Sequence, residues 1–376
     1  MGTRWVESIV SCLAISLCAY MFCATIWGPY KTTIVHYAIF LGVMMIIFFW
    51  STEPLGRGTL SRYLDTLMVL IILFALGYVV LFWRDILDAI GGTYLSTLQI
   101  TVGSLIILIM LEGVRRVSFG LFVVALAAIA YILFGNYVPG PLAHAGIGIK
   151  RFIYLTAFSH EGVFGLAMSV AATYLFMFIL FSTALQETGA ANFLLKLTNA
   201  LVGRTRGAPA KCAVVSSGLT GTIIGSSIGN VVTTGSITIP MMKKMGFKPE
   251  TAGAIEVVSS EGAQLVPPIM GAGAFLMAEL TGIPYWTIAW SAVIPALLYY
   301  ISIFVVVDMQ AVKLKLTGQV SVEKTWYVMK EGFHHLIPIL ALFYLLMVTR
   351  ISVTYAGLIT VLLAVGANAQ WVGYKV

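Results

Sequence analysis

"CAVVSSGLTGTIIGSSIGNVVTTGSITIPMM", residues 212–242, is a run of 31 uncharged residues, of which 16 are Gly, Ser, Thr or Asn. Its length suits a crossing of hydrocarbon, which takes about 20 mostly apolar residues. Its content does not. A helix against acyl chains has no use for the hydroxyls and the amide of "GTIIGSSIGN", and irregular backbone at membrane depth is stable only inside protein or along a watery cavity. The stretch is therefore predicted to be a helix-turn-helix hairpin that enters and leaves on one side, its tip near "GSSIGN". Ser226, Ser227 and Asn230 would then be free to hold an ion or a polar solute. A small-residue face for close helix packing is the alternative.

The next apolar stretch is also broken. "SSEGAQLVPPIMGAG", residues 259–273, carries Glu261, Gln264 and the pair Pro267-Pro268. Two adjacent prolines remove two backbone donors and bar a continuous helix, so a helix from about Thr251 must stop and restart. Facing half-helix ends present carbonyls on one side and N–H groups on the other, and such ends bind cations and carboxylates in secondary transporters. Gly262, Gly271 and Gly273 permit close backbone approach, and the Gln264 amide can donate or accept. The plainer reading is a proline kink. Glu256 and Glu261 lie five residues apart, about 140° around a helix, and an acid inside a membrane segment is a functional candidate by default. Glu256, two turns from Lys248, reads as a boundary residue. Glu261 reads as the deeper one: proton acceptor, cation ligand or partner of a neighbouring helix.

The rest of the chain has the same solvent. Of 376 residues 60% are hydrophobic and 10% charged, with mean hydropathy +0.97, which excludes a soluble fold of this size. Charge-free gaps recur, with 23 residues between Glu7 and Lys31, 25 between Glu161 and Glu187, and 28 between Glu279 and Asp308. They predict spans at 8–28, 33–50, 66–83, 95–111, 118–135 and 163–185, the hairpin 212–240, the broken span 251–281, then 287–307, 333–349 and 352–368. The fold class is an all-α polytopic membrane protein. With the N-terminus cytoplasmic, 17 of the 22 Lys and Arg fall inside and only Lys31, Arg84, Lys150, Arg151 and Arg350 outside. That bias holds only if 212–240 is re-entrant. The net charge of +7 is accordingly loop chemistry, a poor case for nucleic acid. Residues 8–27 follow Arg4 as a secretory leader would, but the run is too long and more spans follow, so a retained anchor is expected. Cys12, Cys18, Cys23 and Cys212 lack metal-ligand spacing and read as packing residues.

"SSGLTGTIIGSSIGNVVTTGSITIPMMKKMGF", "GAIEVVSSEGAQLVPPIMGAGAFLMAELTGIPYW" and "VIPALLYYISIFVVV" resemble the tripartite ATP-independent periplasmic (TRAP) transporters. The likeness is nearest to the TAXI subfamily, in which small and large membrane subunits are fused. "LEGVRR" at 111–116 is similar to the end of the small-subunit part. This resemblance implies a four-helix scaffold over 1–116, first large-subunit helices over 117–206, a transport core over 207–285 and further membrane helices over 286–376. It implies an elevator-type secondary transporter of the bacterial or archaeal inner membrane, working without cofactor. A TAXI-type periplasmic binding protein would deliver an organic acid such as a dicarboxylate or glutamate, and sodium or protons would drive uptake. Carried over residue by residue, Ser226, Gly262 and Val266 would form the ion site and hold sodium, and Glu261 joins them as an acid of this chain's own. Ser227, Asn230, Gln264 and Pro268 would form the substrate site. Where the family has Gly-Gly-Gln, this chain has Glu261-Gly262-Ala263-Gln264, which brings the proton forward as an alternative coupling ion. The family core has two inverted repeats and one is visible here. A second membrane polypeptide is expected to supply the other, or the chain is a truncated half-permease incompetent on its own.

Two rival classes remain open on residues alone. "GSSIG" at 225–229 fits the G-x-S-x-G nucleophile pattern, but His36, His144, His160, His334 and His335 all lie far from it in sequence. A Gly/Ser/Thr-rich re-entrant loop also suits a channel filter, although a filter leaves the broken helix unexplained.

Overall fold

A computed structural model describes residues 2–52, 59–88, 95–316 and 324–372. All regular structure among them is helical, and seven helices are long and apolar enough to cross a membrane. The chain forms two compact units, 1–172 and 173–376. The expected boundary at 116/117 falls inside the first, and those at 206/207 and 285/286 fall inside the second.

The first unit comprises α1 (Gly2–Trp27), α2 (Thr33–Ser51), α3 (Thr59–Leu81), α4 (Trp83–Asp88), α5 (Thr97–Val117), α6 (Phe119–Phe134), α7 (Ile149–Ala157) and α8 (Leu166–Val170). Each of the five expected early spans is a helix here. α5 starts on a capping box, Ser96 with Gln99, which satisfies two end donors reciprocally. Its last turn holds "LEGVRR", whose Arg116 donates to Asp65 on α3 at 2.5 Å and to Glu112 at 3.0 Å. The same guanidinium lies 4.6 Å from the Phe49 ring of α2. One nearly buried cation thus joins three helices.

The second unit begins within a π turn at Ala171–Leu175 and comprises α9 (Phe176–Glu187), α10 (Ala190–Val202), α11 (Ala208–Ile224), α12 (Ser227–Lys244), α13 (Pro249–Glu261), α14 (Ala272–Thr281), α15 (Tyr285–Lys313), α16 (Thr325–Gly332), α17 (Leu336–Met347) and α18 (Val353–Val372). The predicted hairpin is α11 and α12. Cross-links between the arms run antiparallel, Ser217 to Thr234 and Thr220 to Asn230. α12 and α13 are antiparallel in turn, with Thr238 on Glu256 and Ser227 against Gln264. The core sits at the hairpin base, where Ala210, Ala213, Val214 and Met242 meet Phe247, Ile255, Ile303 and Val307.

α15, 29 residues long and so about 43 Å, runs the length of this assembly. At its far end Asp308 accepts a bidentate pair from Arg206 (2.6 and 3.0 Å) and an ion pair from the nearly buried Lys211 (2.6 Å). Gly207, at φ +64°, lets the hairpin base pass Ala311, whose Cβ lies 2.5 Å from where a side chain would begin. Asp308→Asn keeps the shape and removes the charge that Lys211 answers. The expected result is a lower melting temperature in detergent, recovered in part by adding Lys211→Met, because an unanswered buried cation is costlier than an apolar replacement.

Candidate functional site

The hairpin tip is written in three residues. Gly225 stops α11 in the left-handed conformation, φ +62°, its N–H returning to the Gly221 carbonyl at 3.2 Å. Ser226 opens α12 as N-cap, accepting from the Gly229 N–H at 3.3 Å. The two glycines of the G-x-S-x-G pattern are thus consumed in ending one helix and capping the next. Ser227 accepts from the Gln264 amide at 3.0 Å.

Gln264 belongs to the predicted break. α13 ends at Glu261, a single 3-10 turn covers Gly262–Gln264, and α14 begins at Ala272. The break lies against the tip at van der Waals distance. A Cβ on Gly225 would stand 2.2 Å from the Met270 carbonyl oxygen, and one on Gly221 would stand 2.8 Å from Ala263 Cα. Two irregular segments that sequence places some forty residues apart are therefore one site.

Its backbone is better satisfied than the sequence suggests. The Tyr285 hydroxyl, in a buried position on α15, reaches the carbonyls of Pro268 and Ile269, both at 2.7 Å. Farther along α15, Tyr299 donates to the Val258 carbonyl at 2.7 Å and Tyr300 to that of Ser259 at 2.9 Å. Gly271 N–H answers the Gln264 carbonyl at 2.9 Å. Part of the expected row of open carbonyls is thus held by three tyrosines. Tyr285→Phe leaves two buried carbonyls to share what remains. A loss of about 1–3 kcal/mol, measured by thermal unfolding in detergent, is expected.

Two to three turns below the tip lies the most enclosed acid. Glu256 has no exposed surface, and among the described residues no Lys, Arg or His pairs with it. Its carboxyl receives Thr234 on one oxygen and Thr238 on the other, with Ser260 at 3.4 Å. Gly235 gives it room, since a Cβ there would come within 3.0 Å of Glu256 Cγ. From Thr234 the polar chain continues to Ser217 (3.4 Å), and Asn230 donates to the Ser217 carbonyl (2.9 Å) and accepts from Thr220 (2.5 Å). The sequence takes Glu256 for a boundary residue and Glu261 for the deeper one. Of the two, Glu256 is the enclosed one. Glu261 is exposed beside the tip, accepting from Gln264 at 2.9 Å.

The structure brings Ser226, Ser227, Glu261 and Gln264 together at an open surface of this chain. Gly262 is buried behind them, where its missing Cβ admits Tyr299 and Tyr300 within 2.7 Å. Asn230 is fully buried between the hairpin arms, Val266 lines an apolar groove with Tyr300, and Pro268 contributes its carbonyl to Tyr285. Missed in the sequence are Thr220, Thr234, Thr238 and the three tyrosines. The threonines were legible as a polar stripe at spacings of four, whereas tyrosines on a long apolar helix look like an interfacial belt.

Residues 102–371 match the family described as "Tripartite ATP-independent periplasmic transporter, DctM component". The ectoine TRAP transporter large permease protein TeaC of Halomonas elongata is 34% identical over 95 residues, 25% of this chain and 22% of that protein. The C4-dicarboxylate TRAP transporter large permease protein DctM is 28% identical over 152 residues in Vibrio cholerae, 38% of this chain and 34% of that protein. In Pseudomonas aeruginosa it is 32% identical over 170 residues, 43% of this chain and 39% of that protein. The chain spans about a fifth to two-fifths of the length of the curated relatives it matches.

Proposed function

Because the chain belongs to the DctM-component family of tripartite ATP-independent periplasmic transporters, a family of permeases and not of enzymes, we propose that it is the multi-pass inner-membrane permease of a gradient-driven importer of organic acids. A periplasmic binding protein hands over the solute, a carboxylate such as a dicarboxylate or glutamate. The subfamily is TAXI, with 1–116 as the fused scaffold and the N-terminus cytoplasmic. The hairpin and broken helix form one of two inverted repeats that move as an elevator.

One observation supports this reading above others: the tip of the hairpin and the gap in the helix meet, with Gln264 on Ser227 and Gly225 on the Met270 carbonyl. Polar side chains and half-helix ends converge there, as expected where a transporter holds its solute near mid-bilayer. Ser227, Gln264 and the backbone beside Pro268 would take the solute. Ser226 and the main chain of Gly262 and Val266 would take sodium if sodium couples. If protons couple, Glu256 is a stronger carrier than Glu261. It is enclosed, has no cationic partner among the described residues and is surrounded by hydroxyls that serve either protonation state.

The test is reconstitution into liposomes with the binding protein and any adjacent membrane subunit, imposing sodium and proton gradients separately. Saturable, binding-protein-dependent carboxylate uptake under one of them is expected. Absence of uptake under both, or unsaturable conductance, would reject the proposal.

A further inference from the structure

The second unit has a cavity of about 500 Å³ at the end opposite its lysine-bearing loops, lined by the last turn of α14, the start of α15 and the link from α17 to α18. Among its walls are Glu279, Phe275, Tyr285, Trp286, Arg350 and Ser352. Lys196, Arg204, Arg206, Lys211, Lys243, Lys244, Lys248, Lys313, Lys315, Lys324 and Lys330 all belong to the other end or its connections in the threading above, so Arg350 is the one cation of residues 173–376 assigned to this side. The bias against external Lys and Arg makes such a residue unusual.

Its setting is unusual as well. Arg350 sits at φ +55°, in the left-handed region that costs a non-glycine residue about 1–2 kcal/mol. Its guanidinium carbon lies 4.0 Å from the Trp286 ring centre. Among the described residues it is in no ion pair, and neither is Glu279, the acid of the same cavity. A guanidinium held over an indole face still has N–H donors to offer, and these match a carboxylate two-to-two. The wall behind is aromatic. Tyr285 stacks on Phe275 at 4.5 Å, nearly parallel, while its hydroxyl holds the carbonyls of the helix break. Tyr285 thus belongs both to the wall of the cavity and to the candidate transport site.

We infer that this cavity is an outer acceptor site for a small zwitterion of the α-amino-acid kind, its carboxylate on Arg350 and its ammonium toward Glu279. A volume of this size suits a small molecule. Glu279 opposes a second carboxylate, so the pocket discriminates against dianions. The inference rests on the importer reading only for the direction from which the solute arrives.

The experiment is binding, without any gradient, of a panel of α-amino acids and of succinate to the full chain in nanodiscs, followed by calorimetry and tryptophan fluorescence. At least one amino acid should bind more tightly than succinate. Arg350→Gln should weaken it by about tenfold or more, the scale of one charge-assisted pair, and Arg350→Lys should weaken it less. Glu279→Gln should narrow or invert the preference over succinate. No binding by any member of the panel, undiminished binding by Arg350→Gln, or a preference indifferent to Glu279→Gln would each overturn the assignment. If Arg350→Gln fails to fold, as judged by size exclusion, the Arg350→Lys and Glu279→Gln arms decide. Because no gradient is applied, a failure of transport leaves this result standing, and intact transport in Arg350→Gln would leave the permease reading untouched.

Discussion

Glu256→Gln is expected to bring uptake to background while the protein remains folded, and Glu261→Gln is expected to leave most of it. The argument is one of enclosure. A carboxyl without exposed surface and without a cation nearby persists in a core only if its protonation is useful or its hydrogen bonds are many. Thr234, Thr238 and Ser260 supply the bonds. Each threonine hydroxyl also has its own helix carbonyl within reach, Asn230 at 2.8 Å and Thr234 at 3.0 Å. The hydroxyls can turn toward a carboxylate or back toward the helix, so neither protonation state leaves a donor stranded. The amide of Gln preserves shape and bonding but cannot exchange a proton. Wild-type uptake should rise as the external side is acidified, and the Gln variant should show no such slope. Glu256→Leu separates stability from coupling. It should cost about 1 kcal/mol, at the low end for buried hydroxyls deprived of a partner, because the helix carbonyls remain. Full sodium-driven uptake by Glu256→Gln would remove the residue from the coupling step.

The second large effect is expected at the tip. Gly225→Val should abolish uptake and destabilise the chain by about 3 kcal/mol or more, since it combines a left-handed backbone with a Cβ 2.2 Å from the Met270 oxygen. Gly225→Ala adds the same Cβ and should already lose most activity. Two glycines provide the contrast. Gly253, inside α13, and Gly273, in the first turn of α14, have nothing within 4 Å of a new Cβ. Alanine at Gly253 should be neutral or stabilise by about 0.5–1 kcal/mol. Equal tolerance at Gly225 and Gly253 in thermal unfolding and uptake would mean that tip and break do not need to touch.

What the letters disclose follows from which forces are local. Charge-free gaps locate the spans because burial in lipid is decided residue by residue, and the hairpin and the break are legible because glycine, serine and proline act on their own backbone. The boundary at 172/173 is not legible, for it falls inside one apolar helix, Leu166–Glu187. α10 and α16 were missed because they are short and carry Lys196 and Lys330, which the gap criterion treats as edges. The enclosure of Glu256 is not legible either, because distance from Lys248 speaks to depth, whereas enclosure depends on α12, which crosses Glu256 from elsewhere in the chain. The tyrosines illustrate the same limit. Their apolar neighbours say where α15 runs, and only the packed structure says what their hydroxyls reach.

α15 is fastened to the hairpin and its neighbour along its whole length, through Asp308 toward one end, Tyr300 at the middle and Tyr285 at the other end. It serves them as a splint, and its outer side carries Leu297, Leu298, Ile301, Val305 and Val306 in open view. Any vertical travel of the tip must therefore tow this oily keel through the surrounding acyl chains. Bilayer thickness and viscosity would then act as brakes on turnover.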